Sequence, residues 1–440
     1  MKVLIVGNGG REHALAWKIS QSSRVDDVFV APGNAGTARD AINVDLEVSD
    51  IQGLVKFAKT ENIGLTVIGP EVPLALGVVD AFESEKLRVF GPTQSAAQLE
   101  SSKAFCKNFL RQADVPTADF QVFRDPDDAM RFIKGRYPGE RDRCPVVVKA
   151  DGLAAGKGVI VCRKREDALE AIDRIARRME FGSAGAQMII EERLEGQEAS
   201  VLAITDGKTI LPLPAAQDHK PAFDGDKGPN TGGMGAYCPT PMVDDAAMAW
   251  IEEHVLVPTV HTMKRNRRPF RGVLYAGLML TPQAGPKLLE YNCRFGDPEC
   301  QPLLMRLKSD IVDILDAVVD QSLDQIETPE WDERPSICVV MASKGYPGDY
   351  EKGAEITGID AADGLEDVKV FHAGTKLEDG KVMTSGGRVL GVTALGDSIA
   401  RAKLNAYTAV QQVRWAGSWC RKDIGDKAMQ YIEQKAAEVV

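Results

Sequence analysis

Three short stretches of this chain carry side chains that could do chemistry. The first, CPVVVKADGLAAGKGVIVC from Cys144 to Cys162, sets Lys149 and Lys157 around Gly152, Gly156 and Gly158. Glycines let a backbone close on a ligand and turn N–H groups inward, and two ammonium groups add positive charge. The composition is that of a phosphate cradle. It is not a Walker A loop, which has four residues between Gly and Gly-Lys, then Ser or Thr and a helix. Here three residues separate Gly152 from Gly156, Gly158 follows Lys157, and Val159-Ile160-Val161 announces a strand. The expectation is a β-hairpin whose tip folds over a nucleotide as a flap. A purely structural glycine hairpin is the alternative, and the bracketing lysines weigh against it.

The second stretch, Leu288-Leu-Glu-Tyr-Asn-Cys-Arg294, alternates so that Glu290, Asn292 and Arg294 share one strand face. A carboxylate beside an amide oxygen is hard-donor chemistry for Mg²⁺, which takes one or two protein ligands together with substrate phosphates. An ordinary exposed strand face is the alternative; the acids that follow, Asp297 and Glu299, argue against it. The third stretch, QDHKPAFDGDKGPNTGGMGAY over 217–237, is the longest polar and glycine-rich run. Its Asp218, His219 and Lys220 favour a functional loop.

These groups need a frame. KVLIVG (2–7), VDDVFVAPG (25–33), LTVIGP (65–70) and LRVFGP (87–92) read as short apolar strands. Helical candidates lie between them at 11–20, 51–60 and 74–83, an alternation that predicts an open parallel sheet with ligands at the strand C-termini. The rim would carry Gly7-Asn-Gly9-Gly10, Ala31-Pro-Gly-Asn34 and Gly69-Pro-Glu71. GNGG before a helix admits a dinucleotide reading, but the second strand ends Val30-Ala31-Pro32 without the acid that holds a ribose. A phosphorylated sugar at the helix N-terminus fits better, and a bare tight turn stays open. From about Pro335 the runs SICVVMAS, DVKVFHAG and RVLGVTALG and a helix from Ser398 suggest a small α+β unit.

Composition narrows the class. At 440 residues several cores are expected. With 53 Lys and Arg against 64 Asp and Glu, the net charge of −11 disfavours nucleic acid and anionic membranes as partners. No run reaches transmembrane length, and MKVLIVGNGG is too short and glycine-interrupted for a signal peptide. The eight cysteines lack CxxC pairs, so reduced thiols in a cytoplasmic protein are expected. Cys293 and Cys300 have no neighbouring His or Cys to complete a metal site.

Taken together, the strings GNGGREHALAWK (7–18), APGNAGT (31–37), GPEVPLALGVVDAF (69–82), VVKADGLAAGKGV (147–159), QDHK (217–220), GPNTGGMGAY (228–237), EYNCRFGDPE (290–299) and RKDIG (421–425) resemble the ATP-grasp ligases. Within them they are similar to the phosphoribosylamine–glycine ligase family, across nearly the whole chain. The resemblance implies an ATP-dependent ligase of purine biosynthesis, joining glycine to 5-phosphoribosylamine through a glycyl acyl phosphate. It implies an α/β chain with three parts: an N-terminal open parallel sheet (1–98), an ATP-grasp core (99–328) with a mobile flap subdomain at about 120–190, and a C-terminal α+β domain (329–440). It also implies roles. Lys103, Lys149, Gly156 and Lys157 would meet ATP phosphates, Glu191 and Leu194 the adenine through the hinge backbone, and Glu198 the ribose. Glu290 and Asn292 would hold Mg²⁺ or Mn²⁺. Arg294 and Asp218, beside Lys220, would hold glycine in the catalytic centre, and Gly9, Gly10, Asn34 and Glu71 would line the phosphoribosylamine site. A monomer acting only on small molecules is expected.

The departures from the family pattern are modest. Cys300 stands where Thr is usual, and Cys420 where Tyr is usual. The loop 137–143 is longer, Pro221-Ala-Phe223 replaces a run that is often basic, and 272–280 lacks a carboxylate that could serve as a third metal ligand. Another ATP-grasp ligase, a non-catalytic nucleotide sensor and a dehydrogenase are the competing readings. QDHK and GPNTGGMGAY oppose the first, intact Lys149, Glu290 and Asn292 the second, and the missing second-strand acid the third.

Overall fold

A computed structural model describes residues 1–139, 143–153 and 158–438. Five of the six residues of Lys2–Gly7 are buried, as a strand covered on both faces requires. It pairs in parallel with Asp27–Pro32 on one side and Ile63–Ile68 on the other. Ile42–Asn43 and Val89–Phe90 complete a five-stranded parallel sheet. The strand order reverses at Lys2–Gly7, so its C-terminal end opens onto a crevice between diverging connections. Gly7 turns the chain there at φ +137°, and a Cβ on it would fall 2.3 Å from Glu12 Cγ. Glu12 needs that space, because its carboxylate folds back to accept from the Gly9 N–H at 2.6 Å and caps the helix Gly10–Ile19.

The expected hairpin is present. Arg143–Ala150 runs antiparallel to Val159–Lys164, with Lys149 opposite Val159. With Met188–Glu192 and Phe120–Phe123 these strands form a four-stranded sheet. Cys144, Val146, Val148, Ala150 and Cys162 turn toward the helices Pro126–Arg136 and Arg165–Ile172, where they join one apolar core. Pro145, Val147 and Lys149 therefore face the other way. Gly156 and Lys157, expected at the flap tip, lie outside the described residues.

A second antiparallel sheet orders Ile210–Pro212, Gln197–Thr205, Gly272–Thr281 and Gly285–Asn292. The polar run 217–237 is not the long loop its composition suggested. Pro221–Phe223 pairs with Lys227–Asn230, and Gln217–Asp218 pairs with Gly235–Cys238. Glycine content hid these strands, although Ala236, Tyr237 and Cys238 are fully buried. Gly235–Cys238 then pairs with Ser336–Ala342, so it enters the sheet completed by Arg388–Leu395 and Val368–His372. The helix Ile399–Val410 covers that sheet, sharing a core with Val339, Val392 and Ala394. Among the described residues no helix is long and apolar enough to cross a membrane.

Candidate active site

The strand Gly285–Asn292 carries Glu290 and Asn292 to the open end of its sheet. Arg294 donates through Nη2 to Asn292 Oδ1 at 3.2 Å, so these two share a side as the alternation required. Lys220 Nζ lies 4.0 Å from Glu290 and 3.6 Å from Glu198, bringing the polar run and the strand face together. Burial works against ionising Glu290, yet the ammonium groups of Lys220, Lys149 and Lys103 outweigh it and hold the carboxyl below its usual range. A carboxylate and an amide oxygen fit a hard divalent cation. Among the described residues no three His, Cys, Asp or Glu side chains gather into a closed metal site. Such an ion would draw its remaining oxygens from a ligand or water.

Asp218 is 6 % exposed, and among the described residues its carboxylate has no hydrogen-bond partner. Burial pushes its pKa up, against the pull of Lys220 and with the help of Glu299 and Glu198. A buried anion without a donor is costly unless a cation meets it, so this position suits an ammonium group. Below it, Tyr275 donates to Glu299 at 2.5 Å and exchanges a hydrogen bond with Ser200 at 2.8 Å. His219 is different: its Nδ1 lies 3.3 Å from Gly235 O, and burial drops its pKa to about 3, which keeps the ring neutral.

The N-terminal rim meets this strand end directly. Arg294 Nε sits 3.3 Å from Glu71, and Nη2 sits 3.0 Å from Glu100. Glu100 also accepts from the Cys293 N–H at 2.7 Å. Asn34 is committed to building the rim. Its amide donates to Asn8 O and His372 O, both at 2.9 Å, while its oxygen accepts from Gly36 and Thr37 N–H groups at 2.8 and 3.0 Å. Gly10 packs so tightly that a Cβ would come 2.6 Å from Gln301 Nε2, and at Gly9 it would come 3.4 Å from Asp297. Asp297 in turn takes Arg388 Nη2 at 2.9 Å, and Arg388 also donates to Asp297 O and Gly232 O.

On the facing sheet Glu191 does not present a free carboxylate. It lies between Lys149, in a close ion pair, and Lys107 Nζ at 2.7 Å. Burial disfavours the Lys149 cation, but Glu191 and Glu290 together raise its pKa. Lys103 donates to Gly152 O at 2.9 Å and so ties the base of the glycine loop to the helix Lys103–Gln112. Leu194 is half-buried in the connection that follows Met188–Glu192. The structure thus gathers Asp218, Lys220, Glu290, Asn292, Arg294 and Glu71 around one crevice, with Lys149 and Glu191 on the facing sheet. Sequence reasoning missed Glu100, Lys107 and Arg388. Glu100 and Lys107 sit in unremarkable helices and Arg388 opens the strand Arg388–Leu395, while Asp297 stood out only as one of the acids after the strand face.

Comparison with known proteins matches three family descriptions. Phosphoribosylglycinamide synthetase, N domain, covers residues 1–100; its ATP-grasp (A) domain covers 101–300; its C domain covers 336–427. The phosphoribosylamine–glycine ligase of Rhodopirellula baltica is 66% identical over 427 residues, covering 97% of this chain and 98% of that protein. The enzyme of the same name from Salmonella typhi is 51% identical over 433 residues, with coverage of 98% and 99%. The crystal structure of phosphoribosylamine–glycine ligase from Thermotoga maritima superposes with a TM-score of 0.83 at 33% identity, covering 96% of this chain and all of that one.

Proposed function

The chain belongs to the phosphoribosylglycinamide synthetase family, and from that premise we propose that it joins glycine to 5-phosphoribosylamine. The products are glycinamide ribonucleotide, ADP and phosphate, in the second step of purine biosynthesis. The carrying observation is the crevice where Asp218, Lys220, Glu290 and Arg294 of the ATP-grasp core meet Glu71 of the N-terminal rim. It offers an anion for an ammonium group, cations for carboxylate and phosphate, and a sugar-binding rim beside them.

In this reading glycine lies with its ammonium group on Asp218 and its carboxylate toward Arg294. The carboxylate oxygen attacks the γ-phosphorus of ATP, the bond to the β-phosphate oxygen breaks, and glycyl phosphate and ADP form. The amine of phosphoribosylamine then attacks the acyl carbon and phosphate leaves, while the amine sheds its proton. Lys149 and Lys220 offset the charge that builds when an anion approaches a triphosphate. The glycine loop, whose base Lys103 holds through Gly152 O, closes over the phosphates and keeps water from the acyl phosphate, and Gly156 and Lys157 are assigned to the phosphates in the same reading. Glu191 and Leu194 border the adenine and Glu198 its ribose. Gly9, Gly10 and Glu71 receive phosphoribosylamine on a rim that Asn34 shapes. Glu290 and Asn292 would hold Mg²⁺ or Mn²⁺, which supplies charge neutralisation on the phosphate oxygens. No side chain needs to act as a nucleophile.

We divide the chain at 98 and 328, with the flap subdomain at about 120–190, and place it in the cytoplasm as a monomer. The eight cysteines, all free thiols, support a reducing compartment. The deciding experiment supplies purified protein with ATP, Mg²⁺, glycine and freshly made phosphoribosylamine. Phosphate release should require both acceptor and glycine. Release that proceeds without either one overturns the reading, and light scattering tests the monomer.

A further inference from the structure

Lys107 is the most deeply buried cation in the nucleotide half of the crevice, at 2 % exposure. It sits on the helix Lys103–Gln112 and does not reach the open cleft. Its Nζ lies 2.7 Å from Glu191 and donates to Thr117 Oγ1 at 2.6 Å. The Thr117 hydroxyl passes on to Leu288 O, also at 2.6 Å, on the strand that carries Glu290. Glu191 therefore has two cations for one carboxylate: Lys149, which faces the cleft, and Lys107, which is sealed behind it.

Charge balance gives this arrangement a purpose. Glu191 with Lys149 alone is a neutral pair, and a triphosphate approaching it would find a dipole. Adding Lys107 leaves the group of three with one net positive charge in a region from which water is largely excluded. There the field of that charge is weakly screened. We infer that Lys107 is a positioning residue for the nucleotide: by sharing Glu191 it leaves Lys149 free to act as a full cation toward the phosphates, and through Thr117 it fixes that cation relative to the strand bearing Glu290. This deepens the ligase reading and rests on it for the identity of the nucleotide.

The test is a double-mutant cycle on the full chain. Affinity is read by calorimetry with the imido-bridged, non-hydrolysable ATP analogue and Mg²⁺, alongside KM for glycine. Lys107→Met removes the net charge and should weaken the analogue roughly tenfold while the KM for glycine moves little. Combining it with Glu191→Gln restores one net positive charge, carried by Lys149, and should recover affinity to within about threefold of wild type. A merely structural Lys107 predicts the reverse, a double variant weaker than either single one, and that result overturns the assignment. If Lys107→Met does not fold by circular dichroism, Lys107→Gln replaces it in the same cycle, and wild-type affinity for the analogue in that single variant overturns the proposal. Wild-type protein that binds the analogue but shows no phosphoribosylamine-dependent turnover would sink the substrate reading while leaving the charge cycle intact.

Discussion

Arg294 and Glu71 form an ion pair at 3.3 Å across the seam between the ATP-grasp strand end and the N-terminal rim. The pair is not isolated, since Glu100 stands 3.0 Å from the same guanidinium. Burial works against the guanidinium cation, but the carboxylates of Glu100 and Glu71 outweigh it and raise its pKa. Replacing Arg294 by Met leaves Glu71 and Glu100 facing each other in a buried site. The expected cost is about 3–5 kcal/mol of stability, together with loss of turnover. Urea unfolding of the variant measures the first and phosphate release the second. Unchanged stability would mean that the carboxylates do not depend on Arg294.

Glu290→Ala should abolish turnover and leave the fold intact. The side chain is about one-third exposed, and its nearest cation, Lys220, is 4.0 Å away, so little structure depends on it. The check is phosphate release at increasing Mg²⁺ with a parallel thermal melt. Near-normal turnover at ordinary Mg²⁺ removes this carboxylate from the metal site.

The acid limb of the rate profile should report Asp218. Burial, helped by Glu299 and Glu198 and opposed by Lys220, raises its pKa to about 7. An ammonium group is held by the ionised form, which accumulates as pH rises. kcat/KM for glycine should therefore climb through neutrality and level off above it. Asp218→Asn should flatten that limb and lower kcat/KM by at least a hundredfold at pH 8. A limb that survives in the variant assigns it to another group.

Much of this arrangement is legible in the chain itself, for identifiable physical reasons. Lys2–Gly7 shows as a strand because a two-sided burial site demands an unbroken apolar run. Glu290, Asn292 and Arg294 show as one face because strand periodicity is rigid. Lys107 and Glu100 do not show. Each is a charged residue in an amphipathic helix, and only the tertiary fold decides that it faces a buried partner instead of water. Asn34 reads as a ligand-binding rim residue, while the structure commits its amide to backbone carbonyls from two distant segments. The strands within 217–238 are hidden by their glycines, and long-range pairing with Ser336–Ala342 makes them.

Asn34→Ala should raise the KM for phosphoribosylamine several-fold and leave that for ATP nearly unchanged. The substitution orphans the Gly36 and Thr37 N–H groups and the carbonyl of His372, each a buried backbone group worth about 1–3 kcal/mol when unpaired. Steady-state kinetics with each substrate varied in turn checks the split. Equal rises in both KM values would point to general loosening.

Because Gly235–Cys238 supplies one side of Ser336–Ala342, the C-terminal sheet borrows a strand from the middle of the chain. Severing the chain between them would bare a seven-residue, wholly buried strand along one unpaired edge. Such an edge is a template for self-association. A fragment starting near residue 329 should therefore precipitate when made alone and dissolve when co-expressed with 1–328. The two parts therefore stay in solution only in each other's presence, because each completes a sheet with the other's strand.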